Sequence, residues 1–148
     1  MGATEKIAGF VVDTGYEDIP RDAVEKAKRT ALDCLGAALA GVVEPVSQTI
    51  TGYVTKLGGP SQASVFGAGL KVSVQDAALA NGVIAHALDY DDCGVKIGHP
   101  SVLVLPAVLS LGEHLGASGQ DILTLTSWAW RSRVSWRSTP TSSSCRPA

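Results

Sequence analysis

The chain predicts an all-α fold, a tightly packed helical bundle-like domain with at most a small β-hairpin. Three observations carry that prediction. Apolar residues recur at helical spacing in several separate stretches, Pro and Gly fall mostly at the ends of those stretches, and small residues cluster where helices must approach closely. With 148 residues there is enough chain for one core, and 45% hydrophobic against 18% charged residues is ordinary globular composition. Disorder of the whole chain would need lower hydrophobicity and higher net charge.

Taken in order, Glu5 to Val12 forms a first short helix after Thr4, with Ile7, Ala8, Val11 and Val12 on one face, and Gly15 stops it. Tyr16 to Pro20 is a polar connector, and Pro20 is placed to open the next helix. That helix runs from Arg21 to Ala40; its first half is amphipathic, and its second half, from Cys34, is small and apolar all round. Pro45 begins another, with Val46, Ile50, Tyr53, Val54 and Leu57 inward, and Gly58-Gly59-Pro60 ends it. Ala63 to Phe66 and Leu70 to Val72 are short extended pieces around Gly67-Ala68-Gly69. Ser73 caps an alanine-rich helix from Val74 to about Leu88. A loop from Asp89 to Gly98 follows. The next helix is expected from Pro100 or Ser101 to Leu115, interrupted or kinked near Pro106. Gly116 ends it, and Ser118-Gly119-Gln120-Asp121 resembles a capping box opening one more.

Residues 1–125 therefore read as one helical domain, and 126–148 as an irregular tail. All three tryptophans and seven serines fall in that tail, after helical periodicity stops at Leu125. Two readings stand: a disordered tail, or a stretch out of frame with an in-frame continuation lost. Charge divides at the same point. Residues 1–125 hold all fourteen Asp and Glu against eight Lys and Arg, a formal −6, whereas the tail holds four Arg and no acid. An acidic body argues against a nucleic-acid surface. Cys34, Cys93 and Cys145 form neither a CxxC pair nor a zinc spacing, which suits a reduced compartment. The first ten residues lack a signal-like apolar run and no stretch approaches 18 apolar residues, so a cytoplasmic protein with no membrane span is expected.

The chemistry concentrates between Asn81 and Ser101. Asp89, Asp91 and Asp92 crowd together and need partners, for which His86, Lys96 and His99 are the local candidates. His86 and Asp89 stand three apart, on one face if the helix persists that far. A carboxylate that holds an imidazole in one tautomer prepares a general acid or base near neutral pH. The bland alternatives are specific too: Asp89 or Asp92 as helix caps, solvated loop acids, and His99 donating to a backbone carbonyl. His114 reads as a surface or satisfied histidine, and Cys34 as packing. The acid spacing differs from the two-acid, two-spacer, third-acid pattern of magnesium-binding terpenoid enzymes, and no glycine-rich phosphate loop precedes a helix.

The AHALDYDD run with its downstream GHPS resembles the MmgE/PrpD family, which includes 2-methylcitrate dehydratase and cis-aconitate decarboxylase. Support comes from Pro20-Arg21, Ala31-Leu32-Asp33-Cys34-Leu35-Gly36, Ala63-Ser64-Val65-Phe66-Gly67, Pro106-Ala107 and Gly116-Ala117-Ser118-Gly119, so the likeness covers roughly 5–125. It implies a large helical domain joined to a smaller α/β lid, a homodimer, no metal and no organic cofactor. It also implies catalytic roles for Asp89 and His99, with Cys93, where relatives often carry threonine, His86 and Lys96 on the substrate side. The expected chemistry is proton transfer beside a carboxylate of a small di- or tricarboxylate: dehydration, decarboxylation or epimerisation. The lid and further pocket residues would lie beyond this sequence, so the chain is expected to be a fragment inactive alone. Two rivals remain: a non-catalytic helical interaction module or relic, and a metal-dependent enzyme using the aspartate cluster.

Overall fold

The computed structural model describes residues 2–93 and 98–135. Its helices are α1 (Ala3–Asp13), α2 (Arg21–Gly41), α3 (Pro45–Leu57), α4 (Val74–Ala85), α5 (Leu105–Leu115) and α6 (Gly119–Ser135), with a single 3-10 turn over Tyr16–Asp18 inside the polar connector. Two-residue strands β1 (Ala63–Ser64) and β2 (Lys71–Val72) pair antiparallel, with Ala63 opposite Val72 and Ser64 opposite Lys71. The expected all-α fold with one small hairpin is what the chain adopts.

Alanine content makes α4 the middle of the structure. Its Ala77, Ala80 and Ala85 are fully buried, and short side chains let α2, α3 and α5 all approach it. Packing falls into two groups. Val54, Ala63, Val65, Val72, Ala77, Ala80 and Ile84 join α3, the hairpin and α4, whereas Cys34, Ala38, Ala85, Val102 and Leu105 join α2, the end of α4 and the start of α5. Gly41 closes α2 against α4: a Cβ there would sit 2.5 Å from the Ile84 carbonyl oxygen. Asn81, buried to 1%, ties the two groups together. Its Oδ1 accepts from the Phe66 N–H at 2.8 Å, and its Nδ2 donates to the Ser64 carbonyl at 2.9 Å and to Ser110 Oγ at 3.4 Å. Ser73 caps α4 as predicted, its Oγ accepting from the Asp76 N–H at 3.2 Å.

Three element boundaries differ from the sequence reading. Helix α4 stops at Ala85 rather than near Leu88, because its last turn tightens: the Ala87 N–H reaches the Ile84 carbonyl and the Asp89 N–H the His86 carbonyl, each at 3.3 Å. Helix α5 starts at Leu105, not at Pro100 or Ser101, and Pro106 does not kink it. Proline in a first turn lacks only an N–H that has no helical partner anyway, so it opens the helix. Helix α6 runs on to Ser135, ten residues past the point where the sequence reads as irregular. Thr124 and Thr126 explain why periodicity misses it: their hydroxyls donate to the carbonyls of Gln120 (2.8 Å) and Ile122 (2.7 Å), so polar residues sit on the packed side. The rest of the predicted tail, 136–148, lies outside the described residues. Among the described residues no single helix is long and apolar enough to cross a membrane.

Candidate functional site

The turn that ends α4 builds the site. Asp89 leaves the helix with φ 58°, the left-handed region that few residues without a glycine's freedom adopt; Asp is among those that do. The reversal carries its carboxylate back over the turn, where Oδ1 lies 3.2 Å from His86 Nδ1 and 3.2 Å from His99 Nε2. So His86 and Asp89 meet as their spacing suggests, though across a turn instead of along a continuous helix. The two rings stack obliquely, centroids 5.3 Å apart at 60°. Asp89 is two-thirds exposed (68%) and His86 half exposed, so this side faces outward.

The other two acids point inward. The Asp91 side chain is fully buried; its Oδ1 lies 2.9 Å from His99 Nδ1, and its Oδ2 accepts from the Val102 N–H at 3.0 Å. The Asp91 carbonyl oxygen is 3.1 Å from the same His99 nitrogen. Asp92 Oδ1 accepts from the Ser101 N–H at 3.2 Å. Consecutive acids thus seat consecutive backbone donors, fastening the His-Pro-Ser turn onto the Asp-Tyr-Asp-Asp turn. Cys34 on α2 lies beneath, and burial, reinforced by the charges of Asp91, Asp92 and Asp33, pushes its thiol up to about 12. It stays a thiol and adds no charge under the acids.

Of the five residues singled out from sequence, His86, Asp89 and His99 converge. Cys93 is exposed a few residues along the same loop, and Lys96 lies outside the described residues. His114 is exposed on α5 and takes no part. Sequence reasoning named Asp91 only as an acid in need of a partner and left it out of the site residues; the structure gives it His99, one of the candidates offered. Ligand atoms of His86, Asp91 and His99 all lie within 4.8 Å of one another, a spacing a divalent cation could bridge. Both Asp91 oxygens and His99 Nδ1 already have protein partners, so an ion there would compete with them. Two clefts lie elsewhere. One of about 330 Å³ separates α1 and α2 from Trp128 of α6, and one of about 280 Å³ runs between α4 and the start of α5; neither is lined by His86, Asp89 or His99.

Residues 5–130 match the MmgE/PrpD N-terminal domain. Cis-aconitate decarboxylase from Mus musculus is 30% identical over 125 residues, covering 81% of this chain and 26% of the relative. Its counterpart from Aspergillus terreus is 30% identical over 122 residues (82% and 25%), and that from Homo sapiens 32% over 105 (68% and 22%). The chain thus spans about a quarter of the length of these relatives. On the extent of the match, the chain belongs to the MmgE/PrpD family.

Proposed function

We propose that Asp89 and His99 form the proton-transfer pair of a lyase or isomerase acting on small di- or tricarboxylates, with cis-aconitate the first substrate to try. One observation carries the reading: Asp89 Oδ1 and His99 Nε2 meet at 3.2 Å on the exposed side of a turn whose other side is tied down. In decarboxylation, the bond from carbon to a carboxylate breaks and CO₂ leaves. The electron pair delocalises toward the remaining carboxylates, and a proton from a positioned imidazole quenches the carbon. Dehydration and epimerisation reuse the same proton at carbon beside a carboxylate. His86, Cys93 and Lys96 are the proposed substrate contacts, and a homodimer the proposed assembly.

With Asp89 and His86 this open, we also propose that the 148 residues alone turn over neither cis-aconitate nor 2-methylcitrate. Ligand binding tests the site without turnover. Titrating cis-aconitate into the ¹⁵N-histidine-labelled chain should shift the ring signals of His86 and His99 and leave His114 in place. Signals that all stay still would sink the assignment. In a form that turns over, His99→Ala should cost at least about 10²-fold, the lower end for a positioned acid or base.

A helical interaction module is the second reading, favoured by Leu32 (74% exposed), Leu39 and Val43, which leave apolar surface along α2 and just after it. Light scattering separates the two: self-association that persists after polar substitution of these three residues would count against that surface.

A further inference from the structure

We infer that Asp91 is a positioning residue that fixes the His99 ring as its Nδ1–H tautomer and so reserves Nε2 for proton exchange. The inference rests on the proton-transfer reading of Asp89 and His99. Nδ1 faces two oxygens at once, Oδ1 of Asp91 at 2.9 Å and the carbonyl of the same residue at 3.1 Å. A carbonyl oxygen only accepts, and an ionised carboxylate only accepts, so a hydrogen between them belongs to the ring; Nε2 has a single, longer contact, Asp89 Oδ1 at 3.2 Å, on an exposed carboxylate that can take or return a proton there. Metal-bound and catalytic histidines are oriented in the same manner, by a carboxylate or carbonyl on the nitrogen away from the chemistry.

Asp91 has no freedom to do otherwise. Its side chain is wholly buried and Oδ2 is held by the Val102 N–H at 3.0 Å, so the backbone entering α5 sets the carboxylate plane and the carboxylate sets the ring. Burial also keeps it from any ligand, whereas Asp89 is open to one. The aspartate run therefore divides its labour residue by residue. Asp89 faces outward beside Nε2, Asp91 faces inward on Nδ1, and Asp92 pins the Ser101 N–H so that the clamp does not slip.

The test reads the tautomer directly, on the 148-residue chain without substrate. Long-range ¹H–¹⁵N spectra of ¹⁵N-histidine-labelled protein distinguish a protonated from a bare nitrogen. His99→Gln identifies the signals. Wild type should show His99 with Nδ1 protonated; a bare Nδ1 overturns the inference without any variant. Asp91→Asn keeps the shape but turns one oxygen into an NH₂ group, which only donates. With the Val102 N–H claiming the remaining oxygen, that NH₂ faces Nδ1 and opposes the hydrogen that the Asp91 carbonyl alone would still accept at 3.1 Å, so the pattern should invert to Nε2–H, facing Asp89 Oδ1. Asp89→Asn should leave Nδ1 protonated. An unchanged pattern in Asp91→Asn, or an averaged one in which the ring is merely loosened, would overturn the assignment. Failure of the catalytic reading looks different: the tautomer pattern holds, and cis-aconitate moves neither ring.

Discussion

Replacing Asn81 with Leu asks how firmly the platform under the site is held. The side chains have similar shape, so packing is largely kept and hydrogen bonding is what changes. Two backbone groups lose their partners: the Phe66 N–H, bonded at 2.8 Å, and the Ser64 carbonyl, bonded at 2.9 Å. Ser64 cannot recover through the sheet, since its own N–H is taken by Glu113 at 2.7 Å and the hairpin is two residues deep. A buried group stripped of its partner costs about 1–3 kcal/mol, and the long 3.4 Å contact to Ser110 adds little, so with two such groups the variant should lose about 2–6 kcal/mol. Urea unfolding followed by circular dichroism reads this as a lower midpoint with an unchanged slope. A loss below about 0.5 kcal/mol, the ordinary range of surface substitutions, would mean that Asn81 does not hold the hairpin to α4.

Other perturbations probe other joints. Hydrogen bonding from Lys71 Nζ, then from the Ser64 N–H and hydroxyl, lowers the Glu113 carboxyl from its ordinary 4.5 to about 2. The stabilisation it lends is therefore complete above pH 4.5 and fades as pH falls toward 2; the stability gap between wild type and Glu113→Gln, measured by urea melts across that window, should close on acidification, and a gap independent of pH would contradict it. Gly41→Ala places a methyl 2.5 Å from the Ile84 carbonyl oxygen and 3.2 Å from Ala87 Cβ, and should cost about 1–3 kcal/mol in a thermal melt; an unshifted melt would show that α2 and α4 are not so close. At Asp89, where φ is 58°, Asp89→Gly should be at least as stable as wild type and Asp89→Ala less stable by about 1 kcal/mol, with equal stabilities arguing against the left-handed turn.

Helices were legible wherever an apolar face decided them. The elements α2 and α3 are where the spacing puts them, but the inward face of α3 differs: Val54 is buried, whereas Val46, Tyr53 and Leu57 are exposed and Ser47, hydrogen-bonded to the Gly41 carbonyl, is buried in their stead; Gly58 and Gly116 stop their helices with positive φ, as the sequence implies. Reading failed where hydrogen bonds replaced periodicity. Thr124 and Thr126 satisfy their hydroxyls within α6, so a polar stretch stays helical; Pro106 looks like a break and is a beginning. At the site, local spacing was enough to pair His86 with Asp89 and the family resemblance to pair Asp89 with His99. For Asp91 the sequence offered His99 as one candidate partner among three but not the Val102 N–H, which comes from the far side of an eleven-residue excursion.

The segment from His86 to Ser101 breaks rules that the packed helices obey. Asp89 is the one residue other than glycine with positive φ among the described residues, and Asp92 Oδ2 and Ser101 Oγ are buried without hydrogen-bond partners there. A backbone in a sparsely populated region and orphaned polar atoms each cost stability, and a fold that tolerates both within one turn must hold that turn from outside. Here the outside is identifiable: Asp91 and Asp92 grip the Ser101 and Val102 N–H groups, Val102 and Leu105 pack on Cys34, Ala38 and Ala85, and Gly41 lets α2 close beneath. Packing of small residues on α2 and α4 thus has a chemical consequence. It makes a rigid floor on which a strained turn can keep one carboxylate and one imidazole nitrogen 3.2 Å apart and facing out.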